Sequence, residues 1–254
     1  MHVALIDMVL WLGGFAATSA LLIVLIARHR WRQFPVFTLW MAYEIVTVAA
    51  LYVLYARGDN LWYGRVYYAG LWPDFTLQLL VAVEIARIVL RPTGTWIQDA
   101  KGMFAVAALG GAVVAGLLTW WIAPPVHTGR NIWELRSNLF TSLVICEVFV
   151  AMSMTANRLG LAWRNHVMAL GQGLMAWAGI MLIANSLESY FGGRYFLDFE
   201  RLRAGAWIGA VIWIAAQLWA PEPDRQPIAE ELQKYILALH RRVEYDLRRL
   251  DARN

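Results

Sequence analysis

Three glutamates lie inside long apolar stretches of this 254-residue chain: Glu44, Glu84 and Glu147. Gln172 lies in a fourth such stretch. An ionisable side chain at membrane depth is costly, and it typically binds or relays protons or cations. These four residues are therefore the candidate ligand or ion site. The competing interpretation is that they form hydrogen bonds between neighbouring helices.

The composition indicates a membrane protein. Hydrophobic residues make up 60% of the chain, charged residues only 16%, and there are 14 tryptophans. A soluble domain has about 45–50% apolar and about 25% charged residues, so an ordinary cytosolic enzyme is excluded. Cys146 is the single cysteine, which excludes a disulfide scaffold. The net charge of +4 comes from residues between the apolar stretches, so the predicted partner is the lipid bilayer and not nucleic acid.

The apolar stretches predict the architecture, because a helix needs about 20 apolar residues to cross the hydrocarbon core. Seven runs of this kind are present: 8–27, 34–56, 67–90, 103–123, 138–157, 166–189 and 204–220. We expect an all-α, seven-transmembrane-helix bundle over residues 1–220. Residues 221–254 form a separate, polar tail.

The positions of the cations predict the orientation, since Lys and Arg near span ends are retained on the cytoplasmic side. More of the 22 lysines and arginines fall inside if the N-terminus is outside and the C-terminus inside. The cluster Arg28–Arg32 and the basic tail decide this balance. We therefore expect a multi-pass protein of the inner (plasma) membrane.

The predicted spans place the candidate residues at defined depths. Glu44 and Glu147 are each about ten residues from a span end, which is roughly 15 Å and near the midplane. Glu84 is about six residues, or roughly 9 Å, from the inner end of its span. With Gln172 in the same inner half, the four residues are predicted to converge. Arg87, one turn from Glu84, is an alternative ion-pair partner for that glutamate.

A second group of residues is predicted near the outer surface. Trp72, Asp74, Asn185 and Glu188 lie towards the outer ends of their spans, where aromatic residues collect, and we expect them to line an outer vestibule. The alternative for Asp74 is an ordinary helix start, because it follows Pro73. No proline interrupts the middle of a predicted span, which indicates continuous helices. Six prolines lie at or near span ends: Pro35, Pro73, Pro92, Pro124, Pro125 and Pro221.

Several chemistries are disfavoured by the sequence. Lys101 and Lys234 are the only lysines, and both lie outside the predicted spans, so a retinal Schiff base is excluded. The histidines lie at span ends, in loops or in the tail, which disfavours a buried haem. No phosphate-binding loop, metalloprotease motif or serine-hydrolase motif is present. We expect no cofactor, no metal and no catalytic residues, and an enzyme is the least favoured class.

The tail contains a predicted amphipathic helix over residues 228–250. Its apolar positions recur every three or four residues, and paired arginines occupy another face. The residues that define it are Leu232, Ile236, Leu239, Val243, Leu247, Arg241 and Arg242. Such a helix can lie on the inner leaflet, dimerise as a short coiled coil, or dock a cytoplasmic protein.

These features support three functional hypotheses. The first is a non-catalytic receptor- or sensor-like module that passes a signal to a partner through its C-terminal helix. The second is a proton- or cation-coupled transporter of small molecules that uses the intramembrane glutamates. The third is an accessory subunit of a larger membrane complex.

Overall fold

The computed structural model describes residues 5–90, 97–122, 132–158, 166–191 and 195–221. Within these residues the secondary structure is helical throughout. The predicted tail helix, residues 228–250, lies outside the described residues. The helices are α1 (Leu5–Ala27), α2 (Pro35–Ala56), α3 (Asn60–Leu90), α4 (Ile97–Ile122), α5 (Ile132–Arg158), α6 (His166–Phe191) and α7 (Phe196–Trp219).

Five of these helices are long and apolar enough to cross a membrane. They are α1, α2, α3 (from Asn60 to Ile88), α6 (from His166 to Glu188) and α7. Helix α4 contains a shorter apolar segment, Leu109–Trp121. Many of their large apolar side chains face outwards, among them Ile23, Val46 and Leu117. The chain is a helical membrane protein.

The helices pack as a ring of six with one helix outside it. Contacts run from α1 through α2, α3, α5, α6 and α7 and back to α1, and α4 packs against α5. Each helix of the ring therefore packs against the helix that precedes it in the chain, except that α5 packs against α3 because α4 lies outside the ring. This arrangement places α2 between α1 and α3.

The buried core of the ring is aromatic as well as aliphatic. The rings of Trp40 on α2, Trp177 on α6 and Trp207 on α7 lie with centroids 5.1 to 6.1 Å apart. Trp207 also donates from Nε1 to Oγ1 of Thr18 on α1 at 3.2 Å. This tryptophan cluster joins four helices, and aromatic pairs at such distances are stabilising.

Pro73 differs from its predicted position at a helix start. It lies inside α3, which begins at Asn60 and continues past it. Proline deprives a carbonyl in the preceding turn of its N–H partner, and neighbouring helices commonly compensate for this in membranes. The carbonyl that loses its partner is that of Ala69, four residues before Pro73. Tyr43 of α2 donates to the next carbonyl, that of Gly70, at 2.8 Å, so the adjacent helix contacts the backbone beside the proline.

Candidate functional site

A polar cluster lies between α2 and α3, centred on Asp74. The indole Nε1 of Trp40 donates to Oδ1 of Asp74 at 2.8 Å, and Nε2 of Gln78 donates to Oδ2 at 2.8 Å. Gln78 follows Asp74 by one helical turn and so shares its face of α3. Both oxygens of this side chain thus accept hydrogen bonds from neutral donors.

Glu44 completes this cluster from α2. It follows Trp40 by four residues, so both side chains lie on the face of α2 towards α3. Its carboxyl group lies close to that of Asp74 and to the indole of Trp40. Two neighbouring carboxyl groups repel each other when both are ionised, and a shared proton or a bound cation relieves this repulsion. The geometry can therefore bind a proton or a small cation.

The surroundings of the cluster are mostly apolar. A cavity of about 20 Å³, bordered by Trp40, Gln78 and Ile145, lies beside it. The surface of this cavity is almost entirely apolar, so it adds no polar partner to the cluster. On the other side of Trp40 are the rings of Trp177 and Trp207. Water-poor surroundings of this kind strengthen the electrostatic interactions within the cluster.

Glu84 has a different environment, at the beginning of α2. Its Oε1 accepts from the backbone N–H of Val36 at 2.8 Å, and its Oε2 accepts from that of Phe37 at 3.0 Å. Phe34, the residue before the helix, provides no side-chain cap. The first N–H groups of a helix lack backbone partners and carry partial positive charge, so Glu84 acts as a cap supplied by α3.

Glu147 and Gln172 are the remaining members of the predicted site. Glu147 of α5 packs against Gly111 of α4, where an added Cβ would lie 2.5 Å from Oε2. Gln172 is partly buried on α6. The structure therefore pairs Glu44 with Asp74, which the sequence did not predict, and gives Glu84 and Glu147 other neighbours.

The residues of the predicted outer vestibule fall into separate places. Asn185 and Glu188 are 0% and 1% exposed, and both accept hydrogen bonds from Arg203 of α7. Arg203 also pairs with Glu200. This buried network joins α6 to α7, so Asn185 and Glu188 do not line an open vestibule. Asp74 belongs to the α2–α3 cluster, and Trp72 is exposed.

Sequence reasoning missed the two residues that organise these networks. Trp40 was not singled out, although Glu44 follows it at one-turn spacing and Asp74 lies in the next span. Arg203 was counted among the outer loop cations, but it lies inside α7 and is buried. The spacing of Glu200 and Arg203, three residues apart on a helix, is the signal that could have indicated its pairing.

Comparisons of this chain with protein-family models, with curated proteins and with solved structures found no match. Among the residues that the structure describes, no group of three His, Cys, Asp or Glu side chains could hold a metal ion. The function must therefore be argued from the geometry of the polar cluster.

Proposed function

We propose that this protein is a non-catalytic, receptor- or sensor-like membrane module in which Trp40 couples the Glu44–Asp74 pair to α6 and α7. The position of Trp40 carries the proposal. Its indole N–H donates to Asp74, and its ring packs against Trp177 and Trp207. One rigid side chain therefore contacts both the acidic pair and the far side of the ring of helices.

The acidic pair is the input in this proposal. Asp74 accepts two hydrogen bonds, and we propose that a proton held between the two carboxyl groups is the signal. Gain or loss of that proton, or its replacement by a small cation, changes the charge beside the indole N–H. The other neighbours, Gln78, Trp177 and Trp207, are uncharged. Trp40 is thus the side chain most directly affected by a change in the pair.

The output in this proposal is α7 and the tail that follows it. We propose that all seven helices cross the plasma (inner) membrane, with the N-terminus outside and the tail in the cytoplasm. Residues 228–250 would then dock a cytoplasmic protein or a second copy of the chain. A signalling role of this kind needs a bistable contact between input and output, and the tryptophan cluster supports that assignment.

Hydrogen–deuterium exchange of the full-length protein in lipid nanodiscs tests the proposal. Glu44→Gln keeps the volume of the side chain but fixes it in a neutral form. Trp40→Phe keeps a ring in the core but removes the N–H that contacts Asp74. We expect both variants to alter exchange in α7 and in residues 222–254, as well as in α2 and α3.

Glu147→Gln is the matched control, because it neutralises an intramembrane glutamate that packs on α4 instead of the cluster. It should leave exchange in α7 and the tail unchanged. If Glu44→Gln and Trp40→Phe alter exchange only in α2 and α3, the acidic pair is a local helix-to-helix contact and the sensor proposal is wrong.

A proton- or cation-coupled transporter is the second candidate. The observation that favours it is the position of Glu44 and Asp74 within apolar helices, since carboxyl groups at membrane depth commonly carry protons or cations. Proton flux into proteoliposomes containing the purified protein separates the two functions. A carrier gives a flux that Glu44→Gln abolishes and Glu147→Gln retains, whereas a sensor gives the flux of empty liposomes.

A further inference from the structure

A larger cavity, of about 360 Å³, lies between α3, α4 and α5. Trp72 and Phe75 line it from α3, Thr119 and Trp120 from α4, and Arg136 from α5. Trp72 and Asp74 are two residues apart, or about 200° around the helix, so the cavity and the acidic pair occupy different faces of α3. Its volume falls within the range of about 300–1,000 Å³ that is typical of small-molecule sites.

One part of the cavity wall is polar. The guanidinium of Arg136 lies over the ring of Trp120, with Cζ 4.1 Å from the ring centroid, and this stacking fixes its plane. Thr119 lines the same wall, but it is 5% exposed and its hydroxyl oxygen is fully buried, so Arg136 is the polar group that a ligand in the cavity can reach.

The rim of the cavity is aromatic and faces outwards. Trp72 is 77% exposed and Trp120 is 67% exposed, although both line the cavity. Large exposed indole rings on a membrane protein contact lipid near the headgroup level. The cavity therefore combines a cationic donor, Arg136, with an apolar rim that opens towards the bilayer.

We infer that this cavity binds an anionic amphiphile. Arg136 binds its phosphate or carboxylate, and Trp72 and Trp120 contact the first part of its apolar chain. Glu134, the nearest acidic residue along α5, accepts a hydrogen bond from Tyr67 at 2.7 Å and lies about 200° around the helix from Arg136. Its carboxylate is thus directed away from the anion. This binding site does not depend on the sensor proposal, because it shares no residue with the Trp40 cluster.

Native mass spectrometry of the full-length protein tests this inference. The protein is released from nanodiscs that contain equal amounts of phosphatidylglycerol and phosphatidylcholine, and is separately titrated with oleate and with inorganic phosphate. Retention of phosphatidylglycerol over phosphatidylcholine identifies a membrane lipid as the ligand, and tight binding of oleate alone identifies a free carboxylate amphiphile. Either result supports the inference.

Variants assign the binding to this cavity. Arg136→Gln should weaken binding about tenfold, because a charge-assisted hydrogen bond is lost. Trp72→Ala changes an exposed residue, so it tests the rim without disturbing the core. Arg65→Gln is the matched control, since Arg65 also stacks on a tryptophan, Trp62, but does not line the cavity. The inference is overturned if only inorganic phosphate binds, if no ligand binds, or if Arg136→Gln and Trp72→Ala bind as well as Arg65→Gln.

Discussion

Trp40 and Asp74 are 34 residues apart in sequence and are joined by a hydrogen bond of 2.8 Å that crosses from α2 to α3. Trp40 is 2% exposed, so its indole N–H has little access to another acceptor. Because Asp74 also accepts from Gln78, the three side chains form a continuous polar contact within an apolar bundle. Together with the hydrogen bonds from Tyr43 to Gly70 and from Val36 to Glu84, this contact constrains how α2 and α3 are rotated relative to each other.

Removal of that hydrogen bond should destabilise the bundle. We expect Trp40→Phe to lower the free energy of unfolding by about 1–2 kcal/mol, the upper range for interhelical hydrogen bonds in membranes. Thermal unfolding in detergent measures the effect. Trp121→Phe, at a highly exposed ring on α4, should change the stability little. Equal effects of the two substitutions would contradict the role given to the Trp40 N–H.

The carboxylate of Glu84 should protect the first turn of α2. In Glu84→Ala the N–H groups of Val36 and Phe37 lose their acceptors, so their hydrogen exchange should accelerate. We expect a loss of about 1–3 kcal/mol in stability, since buried donors are left without partners. Glu84→Gln keeps one carbonyl acceptor and should be intermediate. Unchanged exchange at Val36 and Phe37 would show that Glu84 is not the cap.

Removing one partner of the buried ion pair of Glu188 and Arg203 should destabilise the protein more than removing both. Arg203→Met leaves a buried carboxylate uncompensated, so we expect a loss of about 3–5 kcal/mol. The double variant Glu188→Leu with Arg203→Met should recover most of it, because two apolar groups then replace the pair. Chemical unfolding of the two variants gives the comparison. A double variant less stable than Arg203→Met would contradict this account.

Gly173 and Gly179 on α6 provide a matched test of helix packing. A Cβ at Gly173 would lie 2.6 Å from Cγ1 of Ile214, a buried residue of α7, whereas nothing lies within 4 Å of a Cβ at Gly179. We expect Gly173→Ala to destabilise the protein by about 1–3 kcal/mol through overpacking. Gly179→Ala should be neutral or stabilising, because alanine is the better helix former. Thermal unfolding distinguishes them, and equal effects would refute the close approach of α6 and α7.

Three of the apolar runs predicted helices closely: spans 8–27, 34–56 and 166–189 correspond to α1, α2 and α6. The other four helices begin earlier than predicted. Helix α3 begins at Asn60 and not 67, α4 at Ile97 and not 103, α5 at Ile132 and not 138, and α7 at Phe196 and not 204. A helix does not end at the edge of the hydrocarbon, because polar residues such as Arg201 and Arg203 also favour helix and find partners there.

The amino-acid sequence by itself determined that the chain is a helical membrane protein and that carboxyl groups lie within its apolar helices. Composition and run length suffice for this, since the hydrocarbon core requires about 20 apolar residues in each crossing. Only the tertiary structure decided that Glu44 meets Asp74, that Glu84 caps α2, and that Arg203 is buried with Glu188. These contacts depend on which helices are neighbours and on how each is rotated, and side-chain packing between helices fixes both.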